Sequence, residues 1–539
     1  MFKPRLVSML RGEHGNFTKT QLKNDLKGGL NAAIISLPVA IALGISSGIS
    51  PKMGIFTAII GGLIAAIFGG SGVQITGITS GFVLISFSLI KQYGISGLAI
   101  ATIMGGIILI VLGFLKMGSI IKYIPYPVTV GFTTGIGILL ITTEVPSFLG
   151  LRVNNLPDDI IGKWIAYIQN IKTINIAALA IAILAVLVVL FWPKINKTIP
   201  SSLMAILVTS PIVLFLHLNV STIGSSFGKI SSSIPMPMIP HITLPLIVKL
   251  IEPAITIALI GSITSLLAAL VGDGLSGEKH DSNTELIAQG LACIGTALFG
   301  GTPVAGVVSR TTANFKYGSR TPFGAIFNSI FLFLIMIFLM PLAEYIPLSA
   351  LSGIIMILGY NMLKIKVFRD LLKGPKIDFI LAITTTILIP LTSIPIAVGV
   401  AMIIAMADFM RRMSKDLEIK EIKSEPLKNL NISQDILVYE IKGTLFFGTV
   451  EIMMNALDQI EENDIKVLIL RLKNISNIDA TVINKIEVIR NRCNKKGIKV
   501  ILSGLNDSNK NILENKGFLT ATDVTEAVEL ANKIKEGLS

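Results

Sequence analysis

Between Lys27 and about Met410 the chain is a succession of apolar stretches parted by short polar loops, and the pattern changes abruptly at Arg411-Arg412. A helix needs about 20 apolar residues to cross a bilayer, and on that measure the chain predicts about fourteen segments. The first seven are predicted at 28–48, 52–69, 77–91, 95–115, 124–149, 173–192 and 199–218. The second seven are predicted at 246–271, 284–298, 306–316, 321–343, 346–363, 376–392 and 394–411. The third, ninth, tenth, thirteenth and fourteenth are short, as suits helices that stop inside the protein where a water-lined cavity satisfies the freed backbone groups. Beyond about Asp435, β-rich runs at 436–441, 444–447, 466–470 and 499–502 alternate with helical periodicity at 449–462, 480–496 and 524–536. The pattern therefore predicts an α-helical membrane protein followed by a small soluble α/β domain, with 412–430 as a charged linker.

Two patterns recur in the same order on this apolar background. Phe68-Gly69-Gly70 followed by Gly77-Ile78-Thr79-Ser80 is echoed by Phe299-Gly300-Gly301 followed by Gly306-Val307-Val308-Ser309. Tyr123-Ile124-Pro125 with Gly131 is echoed at identical spacing by Tyr345-Ile346-Pro347 with Gly353. Gly-interrupted apolar segments at corresponding places in two halves mark secondary transporters, whose binding site lies where broken helices from the halves meet. Seven segments per half is an odd number, so the halves must be inverted relative to each other.

Composition sharpens this reading. Only 15% of residues are charged, against about 25% in soluble proteins, and mean hydropathy is +0.75. The formal net charge of +13 does not point to nucleic acid, because the basic residues lie mostly in short loops. Their excess in alternate loops follows the positive-inside rule and places both termini in the cytoplasm. The N-terminal residues 1–27 are too polar for a cleaved signal peptide. Cys293 and Cys493 suggest no disulfide framework. No metal-ligand cluster, nucleophile–base arrangement or phosphate loop is visible, so neither an enzyme, a metal nor a cofactor is expected.

Asp25-Leu26-Lys27-Gly28-Gly29 leading to Pro38-Val39-Ala40-Ile41-Ala42, then Asp273-Gly274, His280, Glu285-Leu286 and Gln289-Gly290, resemble the SulP sulfate permeases, which include prestin and the mammalian anion exchangers. The run Phe299–Pro303 through Ser309-Arg310-Thr311, with Asn314, Gly318 and Thr321-Pro322, carries the likeness most specifically. The tail is similar to a STAS domain through 443–448 and Ile478-Asp479-Ala480-Thr481. The resemblance implies inverted repeats at about 28–218 and 246–411 within a transporter domain at 28–411, then the linker and a cytoplasmic STAS domain at 431–539. It also implies a mobile core from segments one to four and eight to eleven, a gate from the other six, and a homodimer. Where STAS switches carry a modifiable serine, this chain has Ala480; Asp479 is left as a candidate helix cap.

The resemblance makes segments three and ten half-helices whose N-termini face one anion. The stretches Val73–Thr76 and Thr302–Ala305 independently read as extended before Gly77 and Gly306. A helix N-terminus offers unpaired N–H groups and about half a positive charge, enough to hold an anion. Thr79, Ser80, Gly306, Val307, Val308, Ser309 and Arg310 occupy the family's anion-contacting positions, with Val39 and Leu43 facing them from the first segment. Val39 replaces a glutamine found in many members. The hydroxyls could instead cap helix ends structurally. In segment eight, Thr264 stands where cation-coupled relatives have Asp or Glu, and Ala268 where sodium-coupled ones have Thr. Glu144 and Glu252 remain near the ends of their segments. The expected function is elevator-like transport of sulfate or bicarbonate within a lipid membrane. An anion channel, an uncoupled chloride/bicarbonate exchanger and a dicarboxylate carrier are the alternatives, and a cytosolic protein is a possible STAS partner.

Overall fold

The computed structural model describes every residue except 1, 14–17, 120–123, 154–155, 158, 197–198, 230–231, 241, 393, 416, 423–432, 434, 444, 447–448, 450–464, 474, 476–477 and 538–539. The chain divides into two compact units, 1–402 and 403–539.

In the first unit, α1 (Arg5–Leu10), α2 (Lys19–Ser46) and α3 (Pro51–Phe68) lead to the two-residue strand β1 (Thr76–Gly77), a 3-10 turn at Ser80–Phe82 and α4 (Val83–Phe114). Then come α5 (Tyr126–Leu149), α6 (Ile160–Gln169), α7 (Ile176–Ile195), α8 (Ser201–Phe215) and α9 (Ile223–Phe227). The second half comprises α10 (Leu244–Ser276), α11 (Ser282–Ala297), β2 (Ala305–Gly306), α12 (Val308–Lys316), α13 (Phe323–Leu339), α14 (Leu348–Met362), α15 (Ile365–Leu371), α16 (Lys376–Leu391) and α17 (Ile394–Lys415). Nine helices among the described residues are long and apolar enough to cross a membrane. Local chemistry sets their ends. Ser50 caps α3 just before Pro51, Asn175 caps α7 and Asp281 caps α11, each side chain taking first-turn N–H groups. The stretch α4 is two helices that meet at Gly94, with φ 67° and ψ −173°, a conformation that glycine adopts without steric cost, between the predicted third and fourth segments.

The helices pack as two sets. One joins α2, α3 and α4 to α10, α11, α12 and α13; the other joins α5, α7 and α8 to α14 and α16. The second set shows the repeat directly. A methyl at Gly131 of α5 would strike the Ala382 carbonyl of α16, and one at Gly353 of α14 would lie 2.8 Å from the Ala182 carbonyl of α7. The two glycines at matched positions thus serve matched close approaches, with the halves exchanging partners.

The second unit is a five-stranded sheet in the order β3 (Glu418–Glu421), β4 (Ile436–Lys442), β5 (Val467–Arg471), β6 (Lys499–Ser503) and β7 (Leu519–Ala521). β3 runs antiparallel to β4 and the other pairs are parallel. Parallel strands are covered on both faces. Leu468 and Leu470 meet Val482 and Ile486 of α18 (Ala480–Lys495), while Val467 and Ile469 meet Val524 and Val528 of α20 (Val524–Lys535). Between β6 and β7 runs α19 (Asp507–Glu514). The stretch expected as a linker therefore contains the end of α17 and an edge strand. The expected helix at 449–462, beyond its first residue, and parts of the expected strand at 444–447 lie outside the described residues. Asp479 caps α18, its Oδ1 accepting from Val482 N–H at 2.8 Å.

Candidate functional site

β1 and β2 pair antiparallel, Thr76 opposite Gly306 and Gly77 opposite Ala305. The corresponding motifs of the two repeats therefore meet at one crossing. Breaking a helix inside a membrane frees backbone groups that must find partners within the protein, and side chains from neighbouring helices supply them. Gly306 N–H donates to Ser265 Oγ at 3.0 Å, Ile75 N–H to Thr311 Oγ1 at 3.0 Å, and Asn314 Nδ2 to the Val73 carbonyl at 3.0 Å. Val307 N–H returns to the Ile75 carbonyl at 2.9 Å.

Beneath the crossing, Glu285 of α11 is 2% exposed and accepts four hydrogen bonds. Oε2 takes Gly70 N–H at 2.9 Å and Ser71 N–H at 3.2 Å; Oε1 takes Gln74 Nε2 at 3.0 Å and Gln289 Nε2 at 2.7 Å. Gln289 Nε2 also reaches Thr76 Oγ1 at 2.7 Å. One carboxylate thus fixes the approach to β1. Asp25 does the same beyond α12, accepting from Ser319 Oγ and from Arg320 and Thr321 N–H.

Two helices begin just beyond the paired strands. Thr79 Oγ1 accepts Gly81 N–H at 3.1 Å, so this hydroxyl caps the 3-10 turn before α4. Val307 gives α12 no side-chain cap. Its first amides consequently remain available for a ligand's negative charge, near the positive end of the helix. Arg310 stands in this first turn. It is 2% exposed, its Nη2 donates to the Ile78 carbonyl at 3.3 Å, and it has no carboxylate partner among the described residues. The guanidinium fits because residue 77 is glycine: a methyl there would lie 2.6 Å from Nη1. A buried cation with a single neutral acceptor is costly unless an anion joins it.

The other expected site residues are more scattered. Gly306 is at the crossing, and Val39 and Leu43 pack in the hydrophobic cluster that contains Ile78; Leu43 is 1% exposed and acts there as core. Ser80 Oγ donates to Met362 Sδ of α14 at 3.4 Å and so reaches the other helix set. Val307 is half-buried, whereas Val308 and Ser309 are exposed. Thr264 is half-buried and donates to the Ile260 carbonyl of its own helix at 2.7 Å; Ala268 is fully buried. Ser265 and Thr311 hold the crossing although neither was a candidate for the site. Their hydroxyls are ordinary in sequence and gain meaning only from partners 41 and 236 residues away.

Residues 22–385 match the model of the sulfate permease family and residues 428–531 that of the STAS domain. The chain is 32% identical over 508 residues to YvdB of Bacillus subtilis, a candidate sulfate transporter, covering 94% of this chain and 96% of that protein. It is 28% identical over 457 residues to the bicarbonate transporter BicA of Picosynechococcus, covering 79% of each. Among solved structures, the transmembrane domain of a cyanobacterial BicA superposes with a TM-score of 0.65 at 27% identity, over 72% of this chain and 98% of that one. The murine solute carrier 26 family member A9 anion transporter, in its inward-facing state, shares the fold with a TM-score of 0.85 at 17% identity, over 98% of this chain and 94% of that one. The broken helices crossing at β1 and β2 and the sheet domain after them are therefore those of a sulfate permease family member with a C-terminal STAS domain, and the chain belongs to that family.

Proposed function

We propose that this protein is a secondary transporter that carries a small inorganic oxyanion, sulfate or bicarbonate, across the cell membrane. The observation that carries the reading is Arg310, buried without a carboxylate beside the uncapped start of α12. An anion at the crossing would meet its guanidinium and the amides of Val308 and Ser309. Gly306, Val307, Thr79 and Ser80 would frame the site, with Val39 and Leu43 as its apolar wall. The names of the bacterial relatives point to the same two anions. Transport would be elevator-like, the set containing α2–α4 and α10–α13 moving against the set containing α5, α7, α8, α14 and α16, through about fourteen spans in two inverted repeats. Both termini would be cytoplasmic, two copies would associate, and the STAS domain would offer a surface to a cytosolic protein.

Segment eight favours a second reading, an uncoupled exchanger or a channel. Thr264 can ligate a cation but cannot neutralise it, and an uncompensated buried ion costs several kcal/mol. Purified protein in liposomes separates these. Saturable uptake of sulfate or bicarbonate, accelerated by counter-anion inside, supports the carrier. Unitary current steps support the channel. Dicarboxylate flux with neither oxyanion moving would overturn the choice of substrate, and absence of all anion flux would overturn the reading.

A further inference from the structure

Glu144 sits in the C-terminal third of α5, 6% exposed, and its Oε1 accepts from Ser46 Oγ of α2 at 2.6 Å. These helices belong to different packing sets, so the bond spans the boundary along which the sets would move. The carboxyl group lines a cavity of about 170 Å³, room for several waters at about 30 Å³ each. Leu84 and Phe87 of α4 and Leu351 of α14 form apolar walls of that cavity.

The charged neighbours are few. Lys163 of α6 lines the same cavity and is 8% exposed, and Tyr167 of α6 donates to the Thr142 carbonyl at 3.1 Å. Lys91 of α4 donates to the carbonyl of Leu156, another lining residue, at 3.2 Å. The lining faces of α2 and α14 bring no titratable side chain, and neither does the 3-10 turn at Ser80–Phe82. Lys194 of α7 and Lys376 and Asp378 of α16, the other helices packed on α5, are not among the lining residues. Glu144 has no ion pair among the described residues.

We propose that Glu144 is a proton-binding site whose occupancy permits the α2–α4 side to move past α5, so that protonation activates anion transport. The inference rests on the transport reading above. Movement would break the Ser46 bond and carry the carboxyl group along Leu84 and Phe87. An ionised carboxylate stripped of its partner and its water costs several kcal/mol, whereas a neutral carboxyl costs far less. The proton therefore acts at the moving boundary, away from segment eight and from Arg310.

The test is sulfate exchange by the full chain in liposomes, because sulfate keeps its charge from mildly acid to mildly alkaline pH. The wild-type rate should fall as pH rises, approaching about tenfold per pH unit once the protonated fraction limits turnover. Glu144→Gln should hold the acid-limit rate at every pH, and Glu144→Asp should retain a titration. A flat wild-type profile, or a Glu144→Gln profile matching the wild type's, would overturn the proposal. Infrared difference spectra of the protein in lipid provide a readout independent of flux. A protonated-carboxyl band that disappears on alkalinisation and is absent in Glu144→Gln supports the site, even if sulfate exchange itself fails and the transport reading falls. Its absence from the wild type overturns the site, and so does a Glu144→Gln protein too unstable to study if Glu144→Asp then shows no titrating band.

Discussion

Gly77→Ala tests the site through position alone, leaving every charge in place. The added methyl would lie 2.6 Å from Arg310 Nη1, while its next contacts, Ala58 Cβ at 3.6 Å and Cα at 3.8 Å, are ordinary. The guanidinium must therefore retreat by about 1 Å to reach normal van der Waals separation. Its bond to the Ile78 carbonyl is already 3.3 Å long, at the outer edge of useful hydrogen-bond geometry, so the displaced guanidinium has little to hold it in place. An anion that loses one hydrogen bond from the displaced guanidinium loses about 1.5–3 kcal/mol, or roughly 10- to 100-fold in affinity. The obstructing atom is the tip of a side chain, so the helices themselves need not move. Calorimetric titration with sulfate and bicarbonate in detergent gives the Kd, and thermal unfolding checks the fold. A variant that unfolds with the wild-type Tm and binds both anions with wild-type affinity would refute the placement of Arg310 at the site.

Arg310→Gln should weaken anion binding by at least as much as Gly77→Ala while unfolding near the wild-type Tm; unchanged affinity for all tested anions would remove the residue from the site. Thr264→Asp should either introduce sodium or pH dependence or block flux, since it adds a carboxylate next to Ser265, which holds Gly306 N–H. Strict sodium-driven uptake by the wild type that Thr264→Val abolishes would contradict this reading of segment eight. Glu285→Gln places an amide donor against four donors, leaving at least one unpaired at about 1–3 kcal/mol, and should lower the detergent Tm; an unchanged Tm would deny Glu285 its structural role.

The helices were readable because a membrane imposes a length and a composition that loops do not share. The repeat was readable for a steric reason. Gly131 and Gly353 recur at matched spacing because a side chain at either would strike a neighbouring carbonyl. The edge strand Glu418–Glu421 was not readable: charged residues that keep an edge from pairing with other chains look like linker, and only Ile419 packs inward on the sheet. Nor was the ten-residue α6, too short to register as a span. At the site, the sequence singled out Arg310 by its charge. Nothing in the sequence told that its neighbour Ser309 would be exposed while Arg310 itself is buried. Glu285 stood out only within a motif, since its work depends on Gly70, Ser71 and Gln74, more than 200 residues away.

Charge balance links the two ends of the crossing. Arg310 supplies one full charge, and each helix start adds about half a charge where its amides are free. The α12 end is uncapped, whereas Thr79 already occupies an amide at the turn before α4. On the proposed reading, a monovalent anion would be matched by Arg310 and α12 alone. A divalent anion must also draw on the α4 side, and needs the Thr79 cap to open or the second charge to remain hydrated. The exposure of Val308 and Ser309 at the start of α12 would leave that second route available. On the proposed reading, sulfate and bicarbonate would differ in how much of the first repeat they engage, with Thr79 the residue at which that difference would be set.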